Sequence, residues 1–181
     1  DKELLRTWIS QSNKAAVKGI QMLTGNSAIA VKKSKGSRLK ATRSRSLFEK
    51  IMDRAEDIYL FHLPMMPAAG AIDLILTKPG AERMSKLLFD AAGIQHEGEF
   101  DASPLLEITN ILGSAYTNTL TFLTEQSVEP ATPTLLQNPD EIRALVDHRL
   151  ETPRSEILVV ENQFHIEDED IEVELVIYLN G

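Results

Sequence analysis

The chain has 181 residues, 43% of them apolar, and this composition suits a globular protein rather than a disordered one. It contains no cysteine, which excludes disulfides, zinc–thiolate sites and thiol nucleophiles. No run of about eighteen apolar residues is present, and the first residues lack the apolar centre of a secretory signal. We therefore expect a cytoplasmic protein with no membrane span.

The net charge of −8 is distributed unevenly along the chain. Residues 1–50 hold twelve of the nineteen Lys and Arg but only three acidic residues, so the remainder is strongly acidic. Much of the basic excess lies in residues 32–45, here called the basic segment. Such a segment could contact nucleic acid or an acidic partner. It has no interleaved aromatic residues and no base-reading motif, so we favour a solvated loop or edge strand and expect no nucleic-acid partner.

The first half of the chain reads as a helix followed by strands. Apolar residues recur at helical spacing over 3–23, and Gly25-Asn26 supplies a stop. The elements predicted after it are a short strand over 28–31, a short helix over 47–55, paired strands over 57–65 and 71–77 with a turn at 67–70, and a helix over 79–92.

The second half resembles the first in that a long helix precedes paired strands. Residues 101–125 form the longest helical pattern, residues 139–150 suggest a short helix, and strands over 156–166 and 170–179 form a hairpin. These strands are joined by Glu167, Asp168 and Glu169. The calcium-binding pattern Asp-x-Asp-x-Asp-Gly is not present there. We therefore interpret the three acidic residues as a surface turn and expect no metal site. We predict one domain over 1–181, duplicated from halves of about 1–95 and 96–181 that share a sheet.

The long helix carries the candidate site. Its start at Ser103-Pro104 is favourable, because Ser can cap free backbone N–H groups and Pro suits a first helical turn. The rest is mostly apolar, with one thin polar stripe at about 100° per residue, formed by Ser103, Glu107, Asn110, Ser114, Asn118 and Thr121. We therefore expect a largely buried helix with one presented edge, on which Ser114 is a candidate binding residue.

Glu107 and Asn110 stand one turn apart on that edge, so their side chains are neighbours. A carboxylate can anchor a partner's cation, and a carboxamide can hold a water molecule in a chosen direction. Hydrolysis of an aspartyl phosphate needs chiefly an aligned water and charge stabilisation. From the residues alone, we favour the alternative that the pair is a polar edge at a subunit contact or in a solvated groove.

The spacing Ser103-x3-Glu107-x2-Asn110, with Pro133 following after 22 residues, resembles the signature of CheC-type chemotaxis phosphatases. The surrounding segment 106–113 is similar to the family's Glu-Ile-x-Asn-Ile-x-x-Gly helix. The resemblance implies an α+β fold: a central, mainly antiparallel sheet built from two pseudo-symmetric halves, with two long exposed helices.

The resemblance also implies an activity, the hydrolysis of the aspartyl phosphate of a CheY-type response regulator. Glu107 would pair with the regulator's active-site Lys, and Asn110 would orient the attacking water. Ser103 would start the helix, and Pro133 would shape the segment behind the site. The Mg2+ belongs to the regulator's acidic pocket, so no cofactor is expected in this chain. A CheD-like deamidase is a further partner that the resemblance implies.

The first half departs from this signature. Asn13 stands at the Asn position, but Ser10 replaces the Glu, Arg6 occupies the Asp or Ser position and Gly36 replaces the Pro. We therefore expect Asn13 to be structural and the second half to hold the working site. The competing hypothesis is a CheC-like adaptor that binds a response regulator or another chemotaxis or flagellar-switch protein without catalysis. No triad, phosphate-loop or dinucleotide motif offers another enzyme class.

Overall fold

Seven strands form one antiparallel sheet at the centre of the protein. The computed structural model describes residues 2–26, 29–67, 70–151 and 156–180. Within these ranges the elements are, in chain order, α1 (Lys2–Thr24), β1 (Ile29–Lys40), α2 (Ala41–Met52), β2 (Ile58–Met66), β3 (Gly70–Thr77), α3 (Lys78–Ala91), α4 (Ser103–Thr124), β4 (Glu129–Pro130), β5 (Thr134–Leu136), α5 (Pro139–Glu151), β6 (Glu156–Ile166) and β7 (Ile171–Asn180).

The order of the strands is β1-β6-β7-β3-β2, with the short strands β4 and β5 both paired to β2 at the far edge. The hairpins β2–β3 and β6–β7 lie side by side and meet where β3 pairs with β7. The strand that follows α1 pairs with the second hairpin, and the strands that follow α4 pair with the first. The two halves thus contribute edge strands to each other, while their origin by duplication stays a prediction.

Helices cover both faces of the sheet and enclose two apolar cores. Helices α1, α3 and α4 pack on one face, where alternate strand residues such as Phe61, Leu74 and Val160 are buried against them. Helices α2 and α5 pack on the other face, around the strand residues of opposite parity, including Leu60. The α+β fold with a mainly antiparallel sheet, which the resemblance implies, is therefore confirmed.

The basic segment is where the predicted boundaries were wrong. The predicted strand at 28–31, whose first residue lies outside the described ranges, extends as β1 through Lys40, and the helix predicted at 47–55 begins at Ala41. The polar side chains of β1 gave no strand pattern in the sequence. Strand β1 is an edge strand, and backbone pairing with β6 holds it over most of its length. Strands β4 and β5 were missed because two and three residues carry no recognisable period. Two residues of the predicted turn at 67–70 lie outside the described ranges.

A buried ion pair joins α5 to the second face of the sheet. Arg149 Nη1 donates to Asp73 Oδ2 over 2.7 Å, and the carboxylate is fully buried. The hydroxyl of Tyr178 donates to the same oxygen over 2.7 Å, and His62 contacts the other oxygen at 2.8 Å. Buried charges are tolerated when they are paired and hydrogen-bonded, so this cluster ties the helix to the sheet on the side opposite α4.

Candidate functional site

Helix α4 buries one side against the sheet and presents the predicted polar stripe on another. The buried residues follow helical spacing, and they include Leu105, Ile108 and Leu112. Along the stripe, Ser103, Glu107, Asn110 and Asn118 are exposed, whereas Ser114 and Thr121 are half-buried. The thin presented edge that the sequence predicts is therefore present.

Glu107 and Asn110 are exposed on consecutive turns near the N-terminal end of α4. Within the described ranges, neither side chain takes part in a hydrogen bond or ion pair with another part of the protein. The carboxylate and the carboxamide are thus free to contact a partner. A carboxylate accepts hydrogen bonds, while a carboxamide both donates and accepts them, so the pair can engage a cation and a water molecule together.

The start of α4 is held by Asp101 rather than by Ser103. Ser103 is the first helical residue, and its backbone N–H donates to Asp101 Oδ1 over 2.8 Å. The Ser103 hydroxyl donates to the same oxygen, and these two hydrogen bonds, the hydroxyl's first, lower the pKa of Asp101. The expectation that Ser103 caps the helix was wrong, because Ser103 lies inside the first turn and its hydroxyl points back to the carboxylate. The signal was available: an Asp two residues before the Ser can accept the free N–H groups.

Pro133 lies between β4 and β5, the short strands that pair with β2; β4 also lies against α4. Helix α4 comes close to this layer at Gly113, where an added Cβ would stand 2.0 Å from Leu63 Cδ2 and 3.6 Å from Pro130 Cβ. A glycine is therefore needed here for close helix–sheet packing. The role of Pro133 in shaping the segment behind the site stays a prediction.

Helices α1 and α4 pack side by side and run antiparallel. Trp8 Nε1 donates to the carbonyl of Tyr116 over 3.0 Å, and farther along α1 a Cβ on Gly19 would lie 3.1 Å from Ile111 Cγ2. Later residues of α1 therefore contact earlier residues of α4. Met22, one turn after Gly19, consequently lies at the same end of the pair as the candidate site.

A closed ring of hydrogen bonds joins α1 and α4 to the sheet. The Tyr116 hydroxyl donates to Asn13 Oδ1, and Asn13 Nδ2 donates to Ser34 Oγ over 3.0 Å. The Ser34 hydroxyl donates to Asn162 Oδ1 over 2.7 Å, and Asn162 Nδ2 donates to the Tyr116 oxygen over 2.8 Å. Burial raises the pKa of Tyr116, although the hydrogen bond from Asn162 acts in the opposite direction.

Asn13 is therefore structural, as the sequence predicts. The ring that surrounds it was not predicted, because its members lie far apart in the chain: Tyr116 is 103 residues from Asn13. Fully satisfied polar networks of this kind define one arrangement of the elements they join. Here the network holds α1 and α4 in one orientation against β1 and β6.

No group of three or more His, Asp or Glu within the described ranges is arranged to hold a metal ion. The part of the chain that the structure describes also contains no helix long and apolar enough to cross a membrane. Neither finding alters the candidate site, which consists of two neighbouring polar side chains on an exposed helix edge.

No protein-family model matches the sequence. No curated protein matches it significantly. The fold, in contrast, has clear counterparts among solved structures. The crystal structure of Thermotoga maritima FliY aligns with a TM-score of 0.67 at 16% identity, covering 99% of this chain and 89% of that one.

Two further structures are complexes. A chain from the CheX–CheY–BeF3–Mg2+ complex of Borrelia burgdorferi aligns with a TM-score of 0.57 at 14% identity, covering 96% of this chain and 98% of that one. A chain from the FliG–FliM complex of H. pylori aligns with a TM-score of 0.58 at 11% identity, covering 98% and 93%. The chain therefore has the CheC-like fold, which chemotaxis and flagellar proteins share; identities this low carry the fold and leave the activity to be argued from the site.

Proposed function

We propose that this protein is a phosphatase that hydrolyses the aspartyl phosphate of a CheY-type response regulator. The observation that carries the proposal is the exposed pair Glu107 and Asn110, on consecutive turns of a rigidly packed helix and free of partners within the described residues. Exposed polar side chains on a buried helix are typical of a site that acts on another molecule.

The chemistry requires no nucleophile from this chain. A water oxygen attacks phosphorus, the bond from phosphorus to the aspartyl oxygen breaks, and the products are a free carboxylate and inorganic phosphate. Asn110 would accept a hydrogen bond from the water and fix its direction of approach. Glu107 would pair with the Lys of the regulator's phosphorylation site and so dock the two proteins in register. The resemblance places the Mg2+ in the regulator's own acidic pocket, and we propose no metal site in this chain.

The fold supports a chemotaxis partner. One structural counterpart is the CheX–CheY–BeF3–Mg2+ complex, in which a protein of this fold family is recorded together with a response regulator. That complex makes a CheY-like partner a reasonable choice for this chain. A CheD-like deamidase, the other partner that the resemblance implies, stays a prediction.

The second candidate function is an adaptor without catalysis. The FliG–FliM complex supports it, because FliM there shares the fold and is recorded with a flagellar partner. An adaptor needs the docking contact of Glu107 and has no use for the water-positioning group of Asn110. The two functions therefore differ in the expected role of Asn110.

The deciding experiment follows the decay of phosphorylated response regulators of the same organism, with Mg2+, in the presence of the wild-type chain or its variants. The phosphatase accelerates the decay; Asn110→Ala removes most of the acceleration, by about 100-fold or more, while binding of the regulator persists. Glu107→Gln weakens binding, since it keeps the shape of the side chain and removes the charge.

Asn118→Ala is the matched control, because Asn118 is an exposed asparagine two turns farther along the same stripe. We expect it to retain wild-type acceleration. Docking of a regulator without any acceleration by the wild-type chain would reject the phosphatase and leave the adaptor. Equal loss of activity in the Asn110 and Asn118 variants would reject the assigned role of Asn110.

A further inference from the structure

The outer side of α1 forms one surface with the candidate site. Helices α1 and α4 lie on the same face of the sheet, so their sides that point away from it adjoin each other. Where the two helices meet, Gly19 of α1 lies against Ile111 of α4, so that a Cβ on Gly19 would stand 3.1 Å from Ile111 Cγ2. Lys18 and Asn110 are the immediate chain neighbours of these two residues, and both are exposed.

This side of α1 is basic. Helix α1 carries four basic side chains and one acidic one, and Lys14 and Lys18 are exposed one turn apart. No ion pair within the described ranges engages either of them.

The edge strand β1 offers a contrast. Lys32 pairs with Glu172 at 2.7 Å and Lys33 with Glu161 at 3.8 Å. Charges of the basic segment are thus partly neutralised within the sheet, whereas those of α1 face outward without a counter-charge among the described residues. Unpaired cations of this kind attract an anionic partner and accelerate its association.

An exposed apolar side chain continues the same line. Met22 follows Lys18 by four residues on α1, and 76% of its surface is accessible. Glu107 lies one turn before Ile111 on α4, so Met22 and Glu107 occupy the same end of the helix pair. Apolar contact flanked by charges is the usual composition of a protein interface, and a Met side chain adapts readily to its partner.

We propose that Lys14, Lys18 and Met22 form a docking strip that receives the acidic rim of a response regulator's phosphorylation site. This inference rests on the proposed function for the identity of the partner. A phosphorylated receiver presents carboxylates and a phosphoryl group around one Lys, so it complements a surface with cations on α1 and a single carboxylate, Glu107, on α4. The cations govern the rate of association, and Met22 governs the lifetime of the complex.

The test measures association and dissociation of receiver domains from the same organism, activated with beryllofluoride and Mg2+. We expect the double variant Lys14→Glu/Lys18→Glu to associate roughly 10-fold more slowly at low ionic strength, and the difference to shrink in high salt. The single variant Lys18→Glu should also associate more slowly, and its matched control is Lys50→Glu, which changes the charge equally. Lys50 is exposed on α2, across the sheet, so its variant should associate within about twofold of wild type.

Met22→Gln should accelerate dissociation and leave association unchanged. Phe122→Gln is its control, because Phe122 is 79% exposed on α4 but lies at the other end of the helix pair. Twelve residues of helix separate it from Asn110, about 18 Å along the axis. We expect no change in the dissociation rate for this control.

The outcomes separate the docking strip from the phosphatase. If the wild-type chain is a phosphatase, slow association of Lys18→Glu with normal hydrolysis at saturating regulator supports the strip. If the wild-type chain binds the regulator without hydrolysing the phosphate, slow association of Lys18→Glu still supports the strip. Equal association rates for Lys18→Glu and Lys50→Glu overturn the strip even if Asn110→Ala abolishes hydrolysis. Failure of every receiver to bind overturns both proposals. Unfolding curves of all variants confirm that each is folded.

Discussion

Helices α1 and α4 pack antiparallel on the same face of the sheet, and each carries an asparagine at the Asn position of the motif. Asn13 on α1 is only 8% exposed and contributes both functions of its carboxamide to the ring with Tyr116 and Ser34. Asn110 on α4 is exposed and has no such partners within the described ranges. The same residue type therefore serves the architecture in one helix and is available for chemistry in the other.

The partners of the two asparagines account for the difference. Strand β1 follows α1, has 12 residues and places Ser34 within hydrogen-bonding distance of Asn13. Tyr116 of α4 supplies the second partner of Asn13. The strands that follow α4 have two and three residues, and within the described ranges no hydrogen bond joins them to Asn110. An asparagine in a motif thus acquires its role from the partners that the fold brings to it as much as from the motif.

The largest expected effect separates the two asparagines by stability. Asn13→Ala leaves the buried Tyr116 hydroxyl without its acceptor and should lower the free energy of unfolding by about 1–3 kcal/mol. Asn110→Ala, at an exposed position, should change it by no more than about 0.5 kcal/mol. Chemical denaturation of the two variants measures both values; similar losses would contradict the assignment of Asn13 to structure and of Asn110 to function.

The glycines of the two helices provide the next comparison. Gly113→Ala would place a Cβ 2.0 Å from buried Leu63, whereas Gly19→Ala would place one 3.1 Å from half-buried Ile111. Both changes gain similar helix propensity, so the difference between them reports packing. We expect Gly113→Ala to be less stable than Gly19→Ala by at least about 1 kcal/mol in thermal and chemical unfolding. Equal stabilities would show that α4 is not held closely to the sheet.

A double-mutant cycle on stability tests whether Asn13 and Tyr116 interact within the ring. Asn13→Ala and Tyr116→Phe remove two ends of one hydrogen bond, so their effects on stability should be non-additive by about 0.5 kcal/mol or more. Asn110→Ala combined with Tyr116→Phe serves as the control and should be additive within experimental error. Additivity in both cycles would show that the ring contributes nothing as a network.

The smallest expected effect concerns the start of α4. Hydrogen bonds from Ser103 hold the pKa of Asp101 below its ordinary value, so NMR titration should find its midpoint in that direction. The stabilisation from the ionised carboxylate is present above the ordinary Asp pKa and is lost as pH falls through the lowered one. Ser103→Ala should move the midpoint back towards the ordinary value; an unchanged midpoint would contradict the hydroxyl's role.

Much of the fold was predictable because its elements carry strong periods. The hairpin β6–β7 alternates clearly enough to be placed within a residue or two, and α4 shows its polar stripe in the sequence. The length of strand β1 was underestimated, because the exposed side chains of this edge strand include Lys32, Lys33 and Lys35 and show no apolar alternation. Its structure depends on pairing with β6, a contact more than a hundred residues away that no local pattern records.

The sequence by itself determined the two hairpins, the presented edge of α4 and the proximity of Glu107 to Asn110, because all three follow from local periods; the single antiparallel sheet that joins the hairpins was implied by the resemblance. Only the tertiary structure decided which residues hold Asn13 in place, and that Lys18 and Met22 lie near the same end of the helix pair as the candidate site. These properties depend on contacts between distant segments. Burial and pairing remove a side chain from solvent only when the chain has folded around it.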